Sequence, residues 1–113
     1  MKPLTILVIN WVKPGCEDEY QRLLSPVLDA MRFESTFINT VVHQDIDDPT
    51  RFMLYETWSD RNDFFDIQRY KSYRAEYERA LPDLLRVPRE ITSFIPIRSD
   101  FTFMHNLGVT NDT

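Results

Sequence analysis

Apolar and polar positions along the chain alternate between two periods. Leu4-Thr5-Ile6-Leu7-Val8-Ile9-Asn10-Trp11-Val12 is β-branched and apolar at both parities, the pattern of a strand covered on both faces and therefore central in its sheet. Lys13-Pro14-Gly15 ends it. Tyr20, Leu23, Leu24, Val27, Leu28 and Met31 then recur at intervals of three and four, behind acidic Glu17, Asp18 and Glu19 that suit a helix N-terminus. Pro26 lies inside that stripe and, having no N–H to donate, predicts a local kink or short break. Phe37 to Gln44 and Phe52 to Trp58 read as the strands of a hairpin around the turn chemistry of Asp45-Ile46-Asp47-Asp48-Pro49. Ser59 is placed to cap a second helical region reaching about Leu85, interrupted near Lys71-Ser72 and at Pro82. Glu90 to Ile97 alternates as a last strand.

The order strand, helix, strand, strand, helix, strand predicts an α+β, ferredoxin-like split βαβ fold, an antiparallel sheet with its helices on one face. Two helices cover one face only, yet Leu7, Ile9 and Trp11 make the other face of the first strand apolar as well. A second copy packed sheet to sheet, giving a homodimeric α/β barrel, is the expected cover. Residues 1–97 form the domain on this reading. Residues 98–113 form a C-terminal tail whose Phe101, Phe103 and Met104 are available to pack on the dimer partner.

Composition narrows the function classes. A chain of 113 residues makes one domain, and 42% hydrophobic with 13% aromatic residues is far from a disordered composition. A net charge of −5 disfavours a nucleic-acid partner, which needs a clustered basic face. No apolar run approaches the roughly 18 residues of a spanning helix, so no membrane is expected. The single cysteine, Cys16, and the absence of a leader-like start point to a reduced, cytoplasmic setting. No Rossmann turn or phosphate loop is present, and the two histidines, His43 and His105, lack metal-ligand spacing. No cofactor or metal is expected.

Val12-Lys13-Pro14-Gly15 with its acidic followers, His43-Gln44-Asp45 leading to Asp47-Asp48-Pro49, Tyr55-Glu56-Thr57-Trp58-Ser59-Asp60 and Ala80-Leu81-Pro82-Asp83-Leu84-Leu85 occur in that order across about residues 4 to 97. In these features the chain resembles the antibiotic biosynthesis monooxygenase family of small dimeric ferredoxin-like proteins. The resemblance implies a pocket between sheet and helices, and relatives that include cofactor-free oxygenases, haem-degrading enzymes, an isomerase and proteins of no known activity. Two departures stand out. The stretch Phe64 to Tyr73 holds no histidine, so the haem ligand of some relatives is missing. Of the Asn and Trp that aromatic-polyketide oxygenases carry on the third strand, Leu54 replaces the first and Trp58 keeps the second.

Period-two alternation places Ile6, Val8, Asn10 and Val12 on one face of the first strand and Leu54, Glu56 and Trp58 on one face of the third. By the resemblance these faces look toward the pocket. Glu56 is the candidate base, since a carboxylate between sheet and helices is taken out of water. Its structural alternative is an ion pair with Arg69 or Arg74. Asn10, an amide among β-branched residues, needs partners there, either as a donor to a substrate or by satisfying a backbone bend. Trp58, Leu54, Phe64 and Tyr73 are the candidate substrate-binding wall. Tyr70, Tyr73 and Tyr77 recur at helical spacing, which favours hydroxyls reaching water. His43 shares by alternation the face of Phe37, Asn39 and Val41, assigned to the dimer contact or the surface. Cys16, without a partner base, reads as incidental.

The function these residues suggest is a cofactor-independent monooxygenase of a quinol-like or polyphenolic aromatic substrate, with dioxygen as co-substrate. Such a site needs a dry pocket, a base and oxyanion donors. The alternative is a non-oxidative binding protein or an isomerase using the same cavity, and a third reading is a filled dimer core with no ligand. A cavity walled by aromatics favours the oxygenase, and one opening onto Arg69 and Arg74 favours the alternative.

Overall fold

A computed structural model describes residues 1–102, so Phe103 and Met104, named above for the tail, and His105 lie outside the described residues. The elements run β1 (Leu4–Trp11), α1 (Glu17–Met31), β2 (Phe37–Gln44), β3 (Arg51–Trp58), α2 (Arg61–Asp66), two single 3-10 turns (Gln68–Tyr70 and Ser72–Arg74), α3 (Ala75–Leu84) and β4 (Glu90–Phe94). The sheet order is β2-β3-β1-β4 with every neighbour antiparallel, the ferredoxin-like arrangement, and β1 is central. Among the described residues, no helix is long and apolar enough to cross a membrane.

Alternation along β1 and β3 sorts the two faces. Leu4, Ile6, Val8, Asn10 and Val12 are buried against the helices, and opposite them β3 buries Phe52, Leu54, Glu56 and Trp58. From the helices come Tyr20, Leu24, Val27 and Met31 of α1 with Tyr77 and Leu81 of α3. Each such apolar side chain contributes roughly 1.5–3 kcal/mol when fully buried. Leu7, Ile9, Trp11, Met53 and Tyr55 point the other way and are only half-buried, because no helix among the described residues covers that face. All five residues of β4 are exposed.

Several local expectations change. α1 runs unbroken through Pro26, held by its buried face of Tyr20, Leu24, Val27 and Met31, and α3 runs through Pro82 to Leu84. Asp60, not Ser59, caps α2, because the Asp60 carboxylate accepts from Asp63 N–H at 3.2 Å while Ser59 N–H is engaged by Thr36 O. A register shift between Phe37 and Asn39 turns Phe37 onto the helix side, edge-on to Trp58, away from Val41 and His43. β4 ends at Phe94, opposite Thr5, where β1 runs out toward Pro3. The break near Lys71 is present: its extended φ −60, ψ 142 separates the two 3-10 turns. Gly15 ends the first loop at φ +91, a left-handed conformation that strains any residue with a Cβ.

Candidate active site

Two polar clusters interrupt the apolar layer between sheet and helices. The first is built on β3. Glu56 is 8% exposed, and its Oε1 accepts from Trp58 Nε1 at 3.0 Å, two residues along the same face. Arg74 Nη2 lies 3.5 Å from the same oxygen. The kink at Lys71 puts Arg74 there: its Nε donates to Gln68 O at 3.0 Å, which ties the guanidinium back across the turn. Phe64 and Tyr73 flank that guanidinium at 5.7 and 5.5 Å, and Phe64 also packs on Trp58. Arg69 instead bonds Phe65 O and lies over the Phe65 and Tyr70 rings. The carboxylate thus enters the interior with a cation and a donor beside it, as a buried charge must. Both partners sit on Oε1, so a ligand proton would go to Oε2.

The second cluster joins β1 to both long helices. Asn10 is fully buried, and its Nδ2 donates to Tyr20 Oη at 2.7 Å and to Tyr77 Oη at 3.3 Å. Tyr77 in turn donates to Tyr20 at 3.3 Å. Asn10 Oδ1 has no partner among the described residues. Burial pushes the Tyr20 phenol above its ordinary range, although its bonds to Tyr77 and Asn10 oppose the rise. Tyr77 is pushed far higher, by burial first and by Tyr20 second. Both phenols are neutral at any physiological pH, Tyr77 donating to Tyr20 and Tyr20 accepting from Tyr77 and Asn10.

A cavity of about 50 Å³ lies between the clusters, walled by Leu54, Glu56 and Arg74 on one side, by Val8, Leu24, Val27 and Leu28, and by Tyr77, Glu78 and Arg89 on the other. It is well below the several hundred Å³ of a usual small-molecule pocket. Arg89 and Glu78 close one wall as a bidentate ion pair, both bonds 2.8 Å.

Of the sequence-predicted residues, Glu56 and Leu54 line this cavity, and Asn10 stands behind its Tyr77 wall. Trp58, Phe64 and Tyr73 lie behind Glu56 and Arg74, holding the polar pair and not facing the space itself. The partner of Glu56 is Arg74 and not Arg69. Asn10 finds two phenols and not a backbone bend. Tyr77 turns its hydroxyl inward, contrary to the expectation of hydroxyls reaching water, because Asn10 offers it a buried donor. His43 is exposed on β2. Tyr20, Glu78 and Arg89 were missed. Tyr20 stood in the helical stripe as one more apolar position, and a fully buried Asn facing that stripe was the signal for its hydroxyl. Among the described residues, no group of three His, Cys, Asp or Glu side chains converges as a metal site requires.

Residues 3–79 match the family model for antibiotic biosynthesis monooxygenase. A conserved protein from Methanosarcina mazei Go1 shares the fold with a TM-score of 0.75 at 22% identity, over 84% of this chain and 93% of that one. Rv0793 from Mycobacterium tuberculosis gives 0.78 at 18% identity, over 86% and 97%. SnoaB, a cofactor-independent oxygenase from Streptomyces nogalater, gives 0.74 at 14% identity, over 88% and 97%. At these identities the likeness is one of fold. No curated protein matches the chain in sequence.

Proposed function

The chain belongs to the antibiotic biosynthesis monooxygenase family, and on that premise we propose that it is a cofactor-independent monooxygenase of a quinol-like or polyphenolic aromatic small molecule. The observation that carries this reading is the carboxylate of Glu56 in the cavity wall, with Arg74 beside it and neutral phenol and amide donors behind the facing wall. Glu56 takes the phenolic proton through Oε2. The electron-rich phenolate then reduces dioxygen directly, and a C–O bond forms at the ring. Loss of water leaves the hydroxylated quinone: one oxygen atom enters the ring, the other leaves as water, and the quinol supplies the electrons for both. Arg74, whose guanidinium lines the cavity, stabilises the anions that develop along this path.

The homodimer belongs to the same reading. Leu7, Ile9, Trp11, Met53 and Tyr55 form a contiguous face that the helices among the described residues leave open, and a second copy laid sheet to sheet would bury it. Cytoplasmic residence is part of this reading also, on the strength of the single unpaired Cys16.

One observation favours a second reading. Tyr77 is the only aromatic in the cavity wall among the described residues, whereas Arg74 and Arg89 both line it. A cavity with that lining suits a small anion or a carbonyl compound, and a non-oxidative binding protein or proton-moving isomerase would use it without dioxygen. Oxygen consumption by the metal-stripped protein with a panel of quinols separates the two. Uptake lowered about a hundredfold or more by Glu56→Gln supports the oxygenase, and no uptake above the uncatalysed rate removes it.

A further inference from the structure

The 50 Å³ cavity cannot hold an aromatic ring by itself, but it does not end at a solid wall. A groove of about 440 Å³ runs between the C-terminal half of α3 and the segment entering β4, and it shares Glu78 and Arg89 with the inner cavity. Its floor is apolar, made by Leu81, Leu85, Val87 and Pro88. This volume falls within the range of small-molecule pockets. Arg86, also in the lining, is already engaged by Asp48 and Thr50. Arg89 therefore supplies the groove's remaining guanidinium fork, and Glu78 occupies that fork with a carboxylate.

We propose that groove and inner cavity are two compartments of one site divided by the Glu78–Arg89 pair, and that the ligand is an amphipathic anion whose acidic group replaces the Glu78 carboxylate on Arg89. The apolar body lies on Leu81, Leu85 and Val87. A planar fork accepts one carboxylate for another with little change in geometry, and both side chains of the pair are more than a quarter exposed, so the exchange gives up little. Release of Glu78 opens the shared wall, which joins the small reacting chamber around Glu56 to a space large enough for a ring. This deepens the reading above by naming an anionic ligand and its route to Glu56.

Calorimetric titration with 1-naphthoate and with its uncharged analogue 1-naphthamide tests it without any turnover. Naphthoate is expected to bind at least about tenfold more tightly than the amide, the usual scale for a charge-assisted bond. Arg89→Leu erases that preference. Glu78→Gln removes the resident competitor and tightens naphthoate about two- to fivefold. Val87→Trp, at a site 42% exposed and so tolerant of substitution, fills the groove and weakens binding, while Ile46→Trp on the distant hairpin leaves it unchanged. Equal affinity for acid and amide, weaker naphthoate binding in Glu78→Gln, or full affinity in Val87→Trp would each overturn the proposal. The failures are separable: oxygen uptake without naphthoate binding leaves the monooxygenase and removes the groove, and binding without uptake for any quinol does the reverse.

Discussion

Arg74 reaches across from the turn before α3 to stand 3.5 Å from Glu56 Oε1, the oxygen that Trp58 Nε1 already holds at 3.0 Å. Their side chains are 14% and 10% exposed, so each charge has lost most of its hydration. Arg74→Gln strands the carboxylate and should cost about 3 kcal/mol in chemical denaturation, the scale for removing one partner of a buried pair. The double variant Glu56→Gln, Arg74→Gln should recover most of that loss, and a double variant no more stable than Arg74→Gln alone would contradict the coupling.

The Asn10–Tyr20–Tyr77 triangle predicts an alkaline limit to stability. Both phenols ionise less readily folded than unfolded, because burial penalises the phenolate. A phenol whose folded pKa is raised gives stability that is complete below the unfolded value of 10.0 and falls as pH rises above it. Denaturation midpoints should therefore be level from neutrality to about pH 9 and drop beyond pH 10. Tyr77→Phe should flatten that drop. A drop of equal depth in the variant would place its cause elsewhere.

At the other end of the pH scale the β2–β3 hairpin responds. Asp45 is held below the usual carboxylate range by the Asp47 backbone N–H first and Arg51 second, and Asp48 by the Thr50 hydroxyl and then the Thr50 N–H. Lowered folded pKa values give stability present above the unfolded value of 3.8 and lost as pH falls through the folded one. Asp45→Asn should shrink the acid dependence of stability below pH 4, read from urea midpoints at pH 3 and pH 6. An unchanged difference between those midpoints would contradict the assignment.

Trp11 and Tyr55 sit on the open face of the sheet, Trp11 under the Arg51 guanidinium at 5.8 Å and Tyr55 beside His43. If a second copy covers this face, Ile9→Lys at its centre should shift the molecular mass seen by light scattering from dimer to monomer. A wild-type monomer at micromolar concentration would remove the dimer from the account.

How much of this was written in the chain follows from the range of each interaction. The faces of β1 and β3 were legible because side-chain alternation is local and strict, and Leu54, Glu56 and Trp58 fell on the buried side as their spacing required. The cap at Asp60 and the bulge at Ile38 were not, since one depends on the residue at which the chain leaves β3 and the other on the register of β2 against β3. Glu56 could be singled out as a lone carboxylate on an apolar face. Its choice of Arg74 over Arg69 could not, because it turns on the extended backbone of a single residue, Lys71. Tyr20 and Tyr77 lie 57 residues apart, and no periodicity brings their hydroxyls together. The Glu78–Arg89 pair joins a helix to the segment entering an edge strand, a contact that exists only once the topology is set.

The fate of the two oxygen atoms tests the monooxygenase most directly. The metal-stripped protein would be supplied with an accepted quinol under ¹⁸O₂ in ordinary water, and product and solvent examined by mass spectrometry. Cofactor-independent monooxygenation predicts one ¹⁸O in each hydroxyquinone, water and not hydrogen peroxide as the second product, a quinol-to-oxygen ratio of one to one, and product formation slowed about a hundredfold in Glu56→Gln. Unlabelled product, or hydrogen peroxide formed in place of water, would contradict it.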